Sequence, residues 1–152
     1  DQTNLKPENQ RHNFDCEGLI RHGDYLLIFT KNRGNLKTTL YAVPKNPGNY
    51  NLEPTGSFNV NGYVTGAAFN KNNSKLLLIG YRNYVPFIFV FDDFHGRFDK
   101  LNQVVRYNFP TLENTQTEGI DWIDEDNIYI STEQTKEVNQ GVYLIALKQI
   151  SR

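Results

Sequence analysis

Three dipeptides, Glu17-Gly18, Thr65-Gly66 and Glu118-Gly119, open stretches of chain that read alike. After Gly18 comes "LIRHGDYLLIFTK", after Gly66 "AAFNKNNSKLLLIGY", and after Gly119 "IDWIDEDNIYISTE". Each stretch is a short apolar segment, a polar turn, and a second apolar segment rich in strand-forming residues. The glycines stand 48 and 53 residues apart. A repeat of this period constrains the fold more than any other feature, because one such unit buries its apolar faces only by stacking on a neighbour.

The units agree beyond their first hairpins. His22-Gly23-Asp24, Lys71 to Ser74 and Asp124-Glu125-Asp126 have turn composition. A third strand follows in each unit, "TTLYAVP", "PFIFVFDD" and "GVYLIAL", and the first two units add an outer strand, "EPTGSFNV" and "NQVVRYNF". Strands are predicted near 16–21, 25–31, 38–43, 64–69, 75–82, 86–92, 117–122, 127–133 and 141–147, with outer strands near 53–60 and 102–109. Four antiparallel strands per repeat of about fifty residues is the pattern of a β-propeller blade. The expected fold is therefore all-β: three blades over about 14–60, 61–110 and 111–152, preceded by a connector over 1–13. A barrel or sandwich is the structural alternative, but neither has a reason to reuse Glu-Gly at each first strand. Leu27, Phe29, Leu40, Leu77, Ile79, Ile88, Val90, Ile128, Ile130 and Leu144 are the expected core between blades.

Propellers close with about four to eight blades, so three read as half of a six-bladed ring. The other half is expected either upstream on a longer polypeptide, a reading that the absence of an initial methionine supports, or on a second copy of the chain. The net charge of −1 gives no footprint for nucleic acid, and no apolar run is long enough to span a bilayer. The single cysteine, Cys16, excludes an internal disulfide and is expected to be a buried, inert thiol.

The run "NFDCEGLIRHGDYLLIFTKNRGNLKTTLYAVPKNPGNY", with "GSFNVNGYVTGAAF" and "TQTEGI", resembles secreted six-bladed propeller proteins of Bacteroidetes. The resemblance spans nearly the whole chain and matches the C-terminal part of those propellers. It implies the fold, earlier blades upstream, and a secreted, periplasmic or cell-surface location, and no particular activity. More distantly, the chain is similar to gluconolactonase-like and phytase-like propellers that depend on calcium. In those, a Glu-Gly at an innermost strand places its carboxylate on the metal. Glu17 and Glu118 match that dipeptide, whereas the middle repeat departs from it with Thr65.

The starts of the inner strands should gather at one end of a propeller, bringing Glu17, Thr65 and Glu118 together. Two carboxylates there offer part of a calcium shell, or alternatively accept backbone N–H bonds as scaffolding. The ends of the second strands align as Lys31, Tyr81 and Glu133 on the same rim, with Asn32, Arg33 and Arg82 nearby. That rim is either a ligand face or a solvated surface with weak ion pairs. Asn61-Gly62, in the connector "FNVNGY", reads as a tight turn that can also join the ligand face. "DDFHGRFD" lacks the alternating oxygens of an EF-hand, Trp122 is expected to pack between blades, and the three histidines show no zinc spacing. No nucleophile elbow, P-loop or dinucleotide fingerprint occurs. The function expected from these residues is a binding or interaction scaffold, the alternative being a calcium-dependent hydrolase of lactonase or phosphoesterase type.

Overall fold

Each Glu-Gly or Thr-Gly dipeptide lies in the first strand of its own antiparallel sheet. The computed structural model describes residues 12–101 and 103–150. The first sheet runs in chain order through β1 (Asp15–His22), β2 (Tyr25–Lys31), β3 (Lys37–Pro44) and β4 (Gly56–Asn59). The second is β5 (Tyr63–Asn70), β6 (Lys75–Arg82), β7 (Val85–Asp92) and β8 (Gln103–Asn108). The third has three strands, β9 (Gln116–Trp122), β10 (Asn127–Glu133) and β11 (Gly141–Ala146). The helical pieces among the described residues are a 3-10 turn at Pro110–Leu112 and the single turn α1, Leu147–Ile150. The expected connector over 1–13 falls outside the described residues except for His12 and Asn13, whose oxygens accept from the amides of Arg33 and Gly34.

The expected strands are present with small changes at their ends. The outer strand of the first sheet is shorter than the predicted 53–60 because Pro54 has no N–H to give a ladder. Thr55 is the first residue past it to donate, from its amide to the Leu40 carbonyl at 2.8 Å. The last strand stops at Ala146, and Leu147 turns away to donate its amide to Asp126.

The sheets stack through their first strands, with β5 lying between β1 and β9. Glycine makes this approach possible. A Cβ on Gly18 would lie 3.1 Å from the Ala67 Cβ and 3.4 Å from the Gly66 carbonyl carbon. One on Gly66 would lie 3.1 Å from the Glu118 carbonyl oxygen and 3.6 Å from the Gly119 Cα. The repeated glycine thus marks where neighbouring backbones nearly touch.

Outward from that column, apolar side chains fill the two spaces between sheets. Ile20, Leu27, Phe29 and Leu40 of the first sheet pack with Leu76, Leu78, Phe89 and Phe91 of the second. On its other face the second sheet offers Leu77, Ile79, Ile88 and Val90 to Ile128 and Ile130. Alternate residues of β6 therefore serve opposite junctions, as a strand covered on both sides requires. Phe94 and Phe98, in the loop after β7, join the first cluster, with Phe94 fully buried. Trp122 packs against the second cluster as expected.

Two expectations are corrected. Leu144 is 63 % exposed: it pairs with Tyr129 on the face of the third sheet that points away from the second, while Tyr143 and Ile145 fill the junction. Assigning Leu144 to the core put β11 on the wrong face by one residue, which in a strand inverts every side chain. Cys16 is exposed, because among the described residues no sheet covers the first one on that side. Partial desolvation, followed by the Glu17 charge, raises its thiol pKa.

Truncating Leu77 or Phe91 to alanine should destabilise the fold of the single chain by about 2–5 kcal/mol in urea unfolding at concentrations too low for self-association, whereas Leu144→Ala should fall within about 0.5 kcal/mol there. Equal costs for Leu77 and Leu144 would contradict the assignment of faces.

Candidate functional site

All three first strands carry a β-bulge at the same place. The ladder slips between Cys16 and Gly18 in β1 and between Val64 and Gly66 in β5. In β9 it slips between Thr117 and Gly119, opposite Ser131 and Thr132. The skipped residues are Glu17, Thr65 and Glu118, those singled out from the repeat. A bulge frees one residue from the ladder and re-aims its side chain. The pairing also places Lys31 opposite Asp15, Tyr81 opposite Tyr63, and Glu133 opposite Gln116, so the three strand ends predicted to share a rim occupy equivalent positions.

Lys31 is central to this end of the molecule. Its side chain is only 6 % exposed, with Nζ 3.4 Å from Glu17 Oε1 and 5.6 Å above the Tyr81 ring. A buried ammonium needs such partners, since burial without them costs several kcal/mol. The Tyr81 hydroxyl donates to Gln116 Oε1 at 2.8 Å. Burial raises the Tyr81 pKa, opposed by Lys31. Burial also raises the Glu118 pKa, with Lys31 pulling it back and Glu133 and Glu17 pushing it further up. Glu17, Lys31, Tyr81, Glu118 and Glu133 therefore act on one another as a single charged cluster, with Arg33, paired to Asp15, at its edge. Thr65, between the two glutamates in the repeat, is buried, and its hydroxyl has no hydrogen-bond partner among the described residues.

Asn61 sits apart from this cluster. Its amide is capped by Asn59 Oδ1, and its carbonyl faces Arg106 of β8 at 3.5 Å. Its φ of 46° fits a turn role, and Gly62 beside it leaves no room for a Cβ against the Phe87 ring at 2.4 Å.

Beside the cluster lies an open groove of about 570 Å³, bordered by Tyr84, Asn114, Gln116 and residues 134–137. Gln116 belongs to both, and the Tyr84 ring stacks on Tyr81 at 6.2 Å with the planes 14° apart. Tyr84 follows Asn83 in a two-residue turn in which both have positive φ, 60° and 50°. A bulky residue there is strained, and Asn or Gly is the usual choice. Gln116 and Tyr84 were not singled out from the sequence. Gln116 was within reach, since it stands two residues before Glu118 as Asp15 does before Glu17. The position of Tyr84 depends on the turn geometry.

Comparison with family models, curated proteins and solved structures gave no match to this chain.

The donors at this end fit calcium poorly. The ion takes about six to eight oxygens, and the charge beside Glu17 is the ammonium of Lys31. Among the described residues no group of three or more His, Cys, Asp or Glu side chains is arranged to hold a metal.

The cluster makes a signed pH prediction. Glu118 has its folded pKa raised above the ordinary 4.5. Its contribution to stability is thus fully present below that ordinary value and is lost as pH rises through the raised one. Glu118→Gln, a neutral mimic of the protonated acid, should gain stability over the parent at pH 7 and less so at pH 4. A gap independent of pH would contradict the coupling. Lys31→Met should push the Glu118 titration higher still, read by carboxyl 13C NMR.

Proposed function

We propose that this chain is part of a β-propeller and acts as an extracytoplasmic binding module, its ligand contacts lying where the three bulges meet. The observation that carries the reading is the repeated bulge: three equivalent strands each skip one residue of the ladder, and the two glutamates among them, Glu17 and Glu118, join one charged cluster. Repetition alone suits scaffolding. The buried Lys31 and the raised Glu118 go beyond what scaffolding needs. Stacked antiparallel sheets joined through their first strands support the propeller, and the resemblance to secreted six-bladed proteins supports ring size and location.

Carboxylates, an ammonium and a tyrosine hydroxyl next to an amide-lined groove suit a small polar ligand bearing hydroxyl or amino groups. Lys31, Thr65, Tyr81 and Glu133 are its proposed contacts, and Asn61 would reach it only from the neighbouring turn. A calcium-dependent hydrolase using Glu17 and Glu118 is the second reading, favoured by the placement of both carboxylates in equivalent bulges.

Two measurements separate these. Titrating small polar fragments against the labelled protein should shift the backbone amides of Glu17, Thr65 and Glu118. Shifts confined to other surfaces, or none at all, would sink the binding site. Thermal melts with calcium and with chelator should superimpose, whereas a midpoint several degrees higher with calcium would favour the hydrolase.

A further inference from the structure

The two internal junctions obey one packing rule, and that rule specifies a third. At the first junction, the cross-strand row Ile20–Leu27–Ala42 meets the row Phe69–Leu76–Phe91. The next row, Gly18–Phe29–Leu40, meets Ala67–Leu78–Phe89. The 3.1 Å approach of a Gly18 Cβ to Ala67 fixes this register. Moving each row to its equivalent in the next repeat gives the second junction. Ala68–Leu77–Val90 meets Trp122–Ile128–Ile145, and Gly66–Ile79–Ile88 meets Ile120–Ile130–Tyr143. Every residue of these last four rows except Gly66 and Ala68 belongs to the second apolar cluster or packs on it.

The third application has no partner within the described chain. It matches the outer face of the third sheet to a face like the outer face of the first. The row Asp121–Tyr129–Leu144 would meet Arg21–Leu26–Val43, and Gly119–Ser131–Val142 would meet Leu19–Ile28–Tyr41. Arg21 and Asp121 are the only charged residues in these four rows, and the rule sets them opposite each other. Around them the faces are apolar and open: Leu19 is 54 %, Tyr129 49 %, Val142 70 % and Leu144 63 % exposed. Apolar faces of this kind on a soluble chain mark contacts.

We propose that the outer faces of the first and third sheets are the two halves of one junction, occupied by a second copy of this chain. Two copies arranged head to tail would make that contact twice, related by a two-fold axis. Each contact pairs Arg21 of one copy with Asp121 of the other. A second copy is the occupant that the faces specify, because charge and apolar rows match between these two surfaces of the same chain. The inference rests on the stacking register and is independent of any ligand at the bulges.

Light scattering on the 152-residue chain at micromolar concentration should give twice its 17.6 kDa mass. Arg21→Asp and Asp121→Arg should each weaken the dimer at least about tenfold by leaving like charges opposed. Circular dichroism should show both variants folded, since both positions are exposed. Mixing the two variants should restore the dimer, because one junction then carries the native pair and the other the reversed pair. The doubly substituted chain should dimerise alone. A monomeric parent, unaffected single variants, or a mixture that stays dissociated would each overturn the proposal.

Discussion

The near contact of backbones along the column Gly18, Gly66 and Gly119 is the constraint on which the rest of the structure depends. A Cβ on Gly18 would stand 3.1 Å from the Ala67 Cβ and one on Gly66 3.1 Å from the Glu118 carbonyl oxygen, so a larger residue at either place requires the neighbouring first strand to give by a few tenths of an ångström. The strands must lie this close for the side chains beyond them to interlock. Ile20 and Leu27 reach the second sheet, and Leu77 and Ile79 reach the third, only because the backbones at the inner edge already touch. The bulges follow from the same crowding. Each skips the residue just before the glycine and resumes at it, so the chain changes register where it passes its neighbour most closely.

That coupling of scaffold and site explains why one repeated dipeptide has two roles. The glycine belongs to packing, and the residue before it is released from the ladder and faces the strand ends of the neighbouring hairpins. In the first repeat Glu17 is met by Lys31, whose buried ammonium also spans toward Tyr81 of the second sheet. The third repeat has Glu133 at the place of Lys31, so Glu118, whose proton is held more tightly chiefly because it is buried, also faces a like charge that adds to the effect. Three copies of one backbone device thus carry three different electrostatic environments. The strained Tyr84 turn extends this end of the molecule by stacking on Tyr81 at the wall of the groove.

Much of the fold was legible because a strand has a period of two and a repeat states that period three times. The strands 25–31, 75–82 and 127–133 were readable to their ends, since polar turns bound them on one side and charged or aromatic rim residues on the other. The alignment of Lys31, Tyr81 and Glu133 was also readable, because equivalent positions in a repeat are equivalent positions in space. The exposure of Leu144 and Cys16 was not. An apolar run such as "GVYLIAL" alternates equally well in either phase, and only the neighbour it packs against selects one. Phe94 and Phe98 were hidden for a similar reason: a loop sequence does not say that it folds back over a core.

The sequence by itself determined the all-β class, the three sheets and the residues at the inner end of each, because local periodicity and repetition encode backbone pairing. Tertiary structure alone decided which carboxylate is paired and which carries a raised pKa. It decided that Asn61 stands outside the cluster and Gln116 within it, and that Tyr84 lines a groove. Those outcomes depend on which side chains of different repeats approach one another and how far water is excluded, and both quantities exist only once the sheets have stacked.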